Sequence, residues 1–245
     1  MNILLTNDDG YFSEGIITLN QVLSEKHNTY IIAPDTQKSA CSCAITVRSS
    51  ISVQTISESI YSVDGFPADC VNIGLNGDLV PNIDLVISGI NHGPNLGDDI
   101  HFSGTVAGAR TAFVFGVSGI AISMDCLSTS DYFADAALFV SNFVEMQRNG
   151  YRAPYFFNIN YPDRPAHEIH GIRYTNLGKR EYRDSYTIVH HREGEMTLQL
   201  NGAIDSVDNH GSDITELRKG FITITPLTLD ATDYNYLERL QLDHE

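Results

Sequence analysis

Basic residues are scarce in this chain. Lys and Arg number 15 in 245 residues against 31 Asp and Glu, which leaves a formal net charge of −16. So acidic a chain disfavours non-specific contact with a nucleic-acid polymer or an anionic membrane surface. Any anionic substrate must then be held by a metal ion, by helix ends or by backbone amides. Cysteine is sparse too: Cys41, Cys43, Cys70 and Cys126 are the full set. Cys41-Ser42-Cys43 is a C-x-C pair with no second pair at zinc-ligand spacing, so buried or incidental thiols are expected rather than a structural zinc. Long hydrophobic runs are missing, and no apolar stretch approaches the roughly 18 residues of a membrane span. The first residues read as a strand without a basic flank, not as a signal peptide, and a reducing cytoplasm is the expected compartment.

Several catalytic signatures are absent as well. The chain has no G-x-S-x-G elbow, no G-x-x-x-x-G-K-[ST] loop, no G-x-G-x-x-G fingerprint and no H-x-x-x-H or H-E-x-x-H spacing. Hydrolase triads, Walker-type NTPases and dinucleotide dehydrogenases lose support. His92 and His101 flank one loop, while the remaining histidines scatter over other elements and form no ligand set.

What is present is an alternation of short apolar runs with helical patterns. Hydrophobic residues make up 42% of the chain, enough at this length for one large α/β domain or a domain with an appendage. Strands are expected at Ile3 to Thr6, Tyr30 to Ala33, Ile83 to Ile87, Gly119 to Ser123, Tyr155 to Ile159 and Phe221 to Pro226. Helices are expected at Gly15 to Glu25, Thr105 to Phe115, Asp131 to Arg148 and Tyr234 to Leu242. This order favours a Rossmann-like, mostly parallel sheet in a three-layer αβα arrangement. Thr46 to Val63 suggests a β-hairpin inserted after the second strand. The division expected is a core over 1–161 and a polar, β-leaning extension over 162–245 with β character at Thr187 to Val189 and Met196 to Leu200. That extension is too thin in apolar residues to fold alone, so it should pack on the core, on a partner subunit, or on both. No internal repeat is visible.

Four segments fall where strands run into helices. Asn7-Asp8-Asp9-Gly10 follows the first strand, and in an open α/β sheet ligands bind outside the carboxyl ends of the strands. Two adjacent carboxylates repel, and a hard divalent cation is the simplest offset. The plainer reading is that one Asp caps the next helix and the other is solvated. Ser88 to Asp99 is a long loop with Gly89, Gly93, Pro94 and Gly97. Its Asn91 and Asn95 offer carbonyl oxygens for a metal and amide donors for an anion, or else satisfy their own backbone. Ser103-Gly104-Thr105 opens a helix whose free amides suit a phosphate, unless Ser103 is an ordinary cap. Ser39-Ala40-Cys41-Ser42 supplies hydroxyls after the second strand.

Together these segments resemble the SurE family, the stationary-phase survival nucleotidases. The match runs through Leu4 to Gly10, Ala33-Pro34-Asp35 with Ser39, and Pro67 to Val71. It continues through Ser88 to Asp99 into Ser103 to Val106, then Asn158-Ile159-Asn160 with Pro162, and Ile222 to Leu227. The resemblance implies a phosphatase that uses one divalent ion, Mg²⁺ or Mn²⁺, to release phosphate from nucleoside monophosphates. The class is 5′-nucleotidase, with 3′-nucleotidase and exopolyphosphatase activity as further possibilities. It implies metal ligation by Asp8, Asp9, Ser39 and Asn91, a phosphate site lined by Asn95, Ser103, Gly104 and Thr105, and a catalytic role for Asp8 or Asp9. It further implies a C-terminal arm exchanged between subunits of a dimer or tetramer. The chain departs from the family at Ala40, where Gly is usual, at Phe66 for Thr and at Phe102 for Tyr. Arg110-Thr111-Ala112 stands where Met-Glu-Gly is usual, and Gly211-Ser212-Asp213-Ile214 departs mildly from Gly-Thr-Asp-Phe. The alternative consistent with those changes is a member that binds metal and nucleotide with weakened turnover. A receiver domain, the rival from another class, would need a phosphate-accepting Asp where this chain has Ser88-Gly89-Ile90-Asn91.

Overall fold

A computed structural model of the chain describes residues 1–126, 128–150, 154–207 and 209–242, with Asn149 described by its backbone alone. In chain order the elements are β1 (Asn2–Thr6), α1 (Glu14–Leu23), β2 (Asn28–Pro34), β3 (Val53–Ser57), β4 (Ile60–Val63), α2 (Pro67–Asn76) and β5 (Leu85–His92). They continue with α3 (Gly104–Val114), β6 (Ser118–Met124), α4 (Phe133–Gly150), β7 (Phe156–Tyr161), β8 (Ile172–Tyr174) and β9 (Lys179–Arg192). The last are β10 (Glu195–Val207), α5 (Asp213–Arg218), β11 (Ile222–Pro226) and α6 (Tyr234–Leu242).

The fully buried run Ile3-Leu4-Leu5 sets the layers, because successive side chains of a strand point to opposite faces. Ile3 and Leu5 pack with Ile16, Leu19 and Leu23 of α1 and with Val140 and Phe143 of α4. Leu4 faces the other way, among Ile32, Cys70, Val71, Val86 and Ala112 beneath α2 and α3. Burial on both faces is why the strands read as continuous apolar runs.

The main sheet runs β3-β4-β2-β1-β5-β6-β7-β11-β8. The strands from β4 to β7 are mutually parallel; β3 at one end and β11 near the other are antiparallel to their neighbours β4 and β7. After β1 the chain builds outward through β2 to β4, then crosses back through α2 to place β5 on the other side of β1. The strand order therefore reverses between β1 and β5, and the crevice beyond their carboxyl ends is where such sheets bind ligands. Helix α3 lies unusually close to this pair of strands. A methyl group at Gly108 would sit 2.7 Å from Ser88 Oγ and 3.0 Å from Thr6 Cγ2, so the small residues of α3 are what bring its N-terminus down to the strand ends.

The expected α/β sheet is present, with differences of detail. The expected hairpin after the second strand is the antiparallel pair β3 and β4, starting at Val53 rather than Thr46, and β4 joins the main sheet beside β2. Helix α2 was not anticipated. It begins at Pro67 and buries Ala68, Cys70, Val71 and Gly74, small residues that leave no strong apolar stripe to read. The region after 162 divides. Strands β8 and β11 complete the sheet and α5 packs against it, whereas β9 and β10 form a separate exposed hairpin and α6 buries none of its residues. Residues 208 and 243–245 of that region lie outside the described residues. Among the described residues no helix is long and apolar enough to cross a membrane.

Close approach between α1 and β5 yields a test. A methyl group at Gly15 would overlap the backbone oxygen of Ile90. In an exposed helix Gly→Ala gains about 1 kcal/mol, but here the overlap should win. Gly15→Ala is expected to destabilise the protein by about 2 kcal/mol, read from the urea midpoint. A midpoint at or above the wild-type value would show that α1 does not press on β5.

Candidate active site

The turn after β1 is built by Asn7. Its Oδ1 accepts from Gly10 N at 3.1 Å, while its Nδ2 donates to Gly10 O at 3.0 Å and to Ser13 Oγ at 2.7 Å. Gly10 closes the turn at φ +104°, a left-handed conformation that favours glycine. Asn7 is fully buried and acts as a staple, a role invisible from its neighbours in sequence. Ser13 occupies the N-cap position of α1, so neither Asp8 nor Asp9 is spent on capping that helix. Both are left at the crevice.

Asp8 is 5% exposed, and Thr105 Oγ1 donates to its Oδ1 at 2.5 Å. Gly104 brings the α3 backbone against the same carboxylate: a methyl group there would lie 2.9 Å from Asp8 Oδ2 and 2.7 Å from Cys41 Sγ. Burial pushes the Asp8 pKa up to about 6; the Thr105 hydroxyl opposes that shift and the charge on Asp9 adds to it. Asp9 Oδ2 lies 3.4 Å from both the backbone nitrogen and the Nδ1 of His92, and the His92 ring packs edge-on against Phe133.

The other expected residues lie at the same end of the sheet, and of that set only Thr105 and Gly104 touch these carboxylates among the described residues. Lys38 N donates to the Asp8 backbone oxygen at 2.7 Å, and exposed Ser39 follows Lys38 in the chain. The loop then passes through Ala40 at φ 55° and Ser42 at φ 53°. A residue with a side chain at a left-handed position costs roughly 1–2 kcal/mol, which accounts for glycine being usual where Ala40 stands. Ser42 straps this loop to the approach of α3 through Ser42 N to Phe102 O at 2.8 Å and Ser42 Oγ to His101 O at 2.6 Å. The two thiols diverge: Cys41 turns toward Asp8 and Gly104, while Cys43 Sγ faces Thr111 Oγ1 at 3.9 Å. Burial pushes the Cys41 pKa up to about 11, so it is a thiol rather than a thiolate at neutral pH.

Asn91 donates its Nδ2 to Gly93 O at 2.8 Å, so its amide satisfies the backbone that follows it. Asn95 is held at both ends of its peptide unit. Its N donates to Asn160 Oδ1 at 2.8 Å, and its O accepts from Asn158 Nδ2 at 2.8 Å and Asn160 Nδ2 at 3.0 Å. Its own Nδ2 donates to Ser123 Oγ at 2.8 Å. Ser103 is the N-cap of α3, its Oγ accepting from Val106 N at 3.0 Å. The helix start is thus capped by Ser103, while the Thr105 backbone amide as well as its hydroxyl is turned to the Asp8 carboxylate.

Asp69 escaped the sequence reading. It accepts from Thr46 N, Thr46 Oγ1 and Phe66 N at 2.8, 2.9 and 3.0 Å, pinning the far end of the Cys41 loop to α2. The departures at Phe66, Arg110 and Thr111 fall outside the crevice residues. Phe66 sits at the N-cap position of α2, Arg110 donates to Ile100 O, and Thr111 bonds back to Ala107 O.

Among the described residues no three His, Cys, Asp or Glu side chains gather as a metal cluster. The crevice instead offers two carboxylates with amide and hydroxyl oxygens, an all-oxygen set suited to a hard cation. A buried carboxyl with a raised pKa beside a second carboxylate fits the same partner. Phosphate at the α3 start would otherwise meet two acids of its own sign.

The sign of the Asp8 shift makes a prediction. Its folded pKa of about 6 lies above the ordinary carboxylate value, so folding favours the protonated form. The stability this confers is present below about pH 4 and is lost as pH rises through about 6. In EDTA, wild-type protein should lose on the order of 3 kcal/mol between pH 4 and 7 relative to Asp8→Asn, and Mn²⁺ at pH 7 should recover most of it in the wild type alone. Parallel denaturation curves for the two proteins across this range would refute the assignment.

Comparison with known proteins places these features in a family. The model of the family described as "Survival protein SurE" matches residues 3–184. A "5′-nucleotidase SurE" of Leptospira interrogans is 40% identical over 241 residues, covering 98% of this chain and 96% of that protein. One from Desulfitobacterium hafniense is 40% identical over 248 residues, with 98% and 96% covered. Among solved structures, the SurE protein from Aquifex aeolicus superimposes with a TM-score of 0.87 at 33% identity, with both chains fully covered. With the β1 turn, the glycine-rich loop and the capped α3 start in the arrangement described, the chain belongs to the SurE family.

Proposed function

We propose that this protein hydrolyses nucleoside monophosphates to nucleoside and inorganic phosphate, as a 5′-nucleotidase that uses one divalent cation, Mg²⁺ or Mn²⁺. Asp8, Asp9, Asn91 and Ser39 would hold the cation, and Asn95, Ser103, Gly104 and Thr105 the phosphate. The observation that carries this reading is the Asp8 carboxylate, raised to about 6 and bonded at 2.5 Å to Thr105 in the first turn of α3. An acid pair set against a helix start is unfavourable for an anion alone and favourable for an anion with a cation. The relatives named 5′-nucleotidase SurE support the substrate class.

When bound, the cation supplies neutralisation of phosphate charge and a lowered pKa for water. The chain does the rest by position. The start of α3 from Ser103 to Thr105 would meet the non-bridging phosphate oxygens and hold them as charge shifts toward the transition state. Thr105 keeps its hydroxyl on Asp8, which fixes that carboxylate against the helix start. Asp8 or Asp9 takes the proton of the attacking water as the water oxygen bonds to phosphorus; in the other route one of them attacks phosphorus itself, and water then hydrolyses the aspartyl phosphate to phosphate and free carboxylate. The ester P–O bond breaks, and the departing nucleoside oxygen regains a proton. None of the departures from the family pattern replaces a residue in these roles.

Self-association as a dimer or tetramer, in a cytoplasmic setting, is part of the same proposal. Tyr186, Ile188, Leu198 and Leu200 on the β9–β10 hairpin, with Tyr236 and Leu240 on α6, are all exposed in the single chain. Apolar side chains in such number on an unsupported hairpin and helix suit a second copy as their cover.

The test is phosphate release by purified protein from 5′- and 3′-nucleoside monophosphates and polyphosphate, with Mg²⁺ or Mn²⁺ and then EDTA. Release should be greatest with 5′-monophosphates, stop with EDTA, and fall about 10²- to 10³-fold in kcat in Asp8→Asn. No release from any substrate would leave a binding protein instead. An EDTA-sensitive activity untouched by Asp8→Asn would put the site elsewhere.

A further inference from the structure

The start of α3 is held from outside the crevice by the root of the C-terminal hairpin. We propose that Arg180 and Tyr182 are positioning residues that set the phosphate-binding helix start by gripping Asp99; the proposal rests on the reading of Ser103 to Thr105 as the phosphate site.

A short 3₁₀ turn, Gly97–His101, leads into α3. Within it, the Asp99 backbone oxygen accepts from Phe102 N at 3.0 Å and from Ser103 N at 3.1 Å. Asp99 thus shapes the backbone of the N-cap residue directly. Its carboxylate is taken by the hairpin root. Arg180 Nε and Nη2 reach Asp99 Oδ2 at 2.9 and 2.7 Å, and Tyr182 OH donates to Asp99 Oδ1 at 2.8 Å. The Arg180 and Asp99 side chains are only 12% and 18% exposed, so this pair is less screened than a surface ion pair. Arg180 Nη1 also donates to Ser206 Oγ on β10 at 3.0 Å, tying both strands of the hairpin to one acid.

Neighbouring contacts repeat the attachment. Asp98 Oδ2 accepts from Arg180 N at 2.9 Å and pairs with Lys179 Nζ at 3.0 Å. Asp213, fully buried, accepts from Gly97 N at 2.9 Å and from Gly178 N at 2.7 Å. The stretch from Gly178 to Tyr182 is therefore laid along Gly97 to Asp99. A continuous path leads from the hairpin through Asp99 to Ser103, and from Thr105 to Asp8. A shift of the helix start loosens its hold on phosphate without moving the carboxylates of the β1 turn, so the geometry of Asp99 reaches substrate binding without touching substrate.

A purely structural tether would lower thermal stability and leave substrate affinity alone. The experiment compares Tyr182→Phe, Arg180→Met and Arg180→Lys with wild type, and with Tyr186→Phe further along the hairpin as control. Tyr182→Phe is expected to raise KM for a 5′-nucleoside monophosphate, and Kd for inorganic phosphate measured with Mn²⁺, by about threefold to tenfold. Its kcat should stay within about twofold and its melting temperature should not change. Arg180→Met should go further and Arg180→Lys should recover part of the loss. Amide exchange at Ser103 to Thr105 should quicken in Tyr182→Phe and Arg180→Met and remain as in wild type for Tyr186→Phe. Unchanged exchange and phosphate affinity in both Tyr182→Phe and Arg180→Met would overturn the proposal, as would losses that only follow a falling melting temperature. If wild type releases no phosphate from any ester, the nucleotidase reading fails while the exchange measurement still decides this one.

Discussion

The hydrogen bond from Thr105 to Asp8 joins the two halves of the molecule that matter most. Asp8 ends the turn after the first strand; Thr105 lies nearly a hundred residues later, in the first turn of α3. For them to meet, α3 must lie almost on the backbone of β1 and β5, which the absence of a side chain at Gly104 and Gly108 allows. The sheet must also reverse its order between those strands, so that their carboxyl ends face one crevice. Remove either condition and the buried carboxyl loses the hydroxyl that keeps it beside the helix start.

Much of this arrangement could be read from sequence because it is local. The run Ile3-Leu4-Leu5 announces a strand buried on both faces; the loop expected over Ser88 to Asp99 is shorter than read, because β5 continues to His92 and a 3₁₀ turn begins at Gly97. Ser103-Gly104-Thr105 announces a helix start. Each signal depends on residues within a few positions of one another. Their order along the chain, alternating with helices, then places them at one edge of a parallel sheet.

What sequence did not disclose depends on partners far away. Asp213 holds Gly97 across 116 positions, and nothing beside either residue advertises the contact. Asp69 looks like part of a short motif until Thr46 is found on it. Asn158 and Asn160 were part of the family resemblance, but their grip on the backbone of Asn95 could not be read from it. Helix α2 went unread for a different reason: it packs through alanine, cysteine, valine and glycine, and a face of that kind has little amphipathic contrast.

These long-range contacts bear on the acidity of the chain. An excess of carboxylates over bases looks at first like a solubility device. Several of the acids, however, are acceptors that close loops: Asp69, Asp98, Asp99 and Asp213 each take at least one backbone or side-chain donor that would otherwise be left in a buried or half-buried turn. At Asp98 such donors hold the carboxyl below its usual pKa, the Arg180 backbone bond foremost. Burial outweighs the donors and raises the pKa at both Asp213 and Asp8, but of these two Asp8 alone has a second carboxylate, Asp9, adding to the rise. The carboxylates that build the frame are supplied from within the chain, and the pair in the crevice is not. Two adjacent acids at the edge where ligands bind are what favour a cation there under the proposed function.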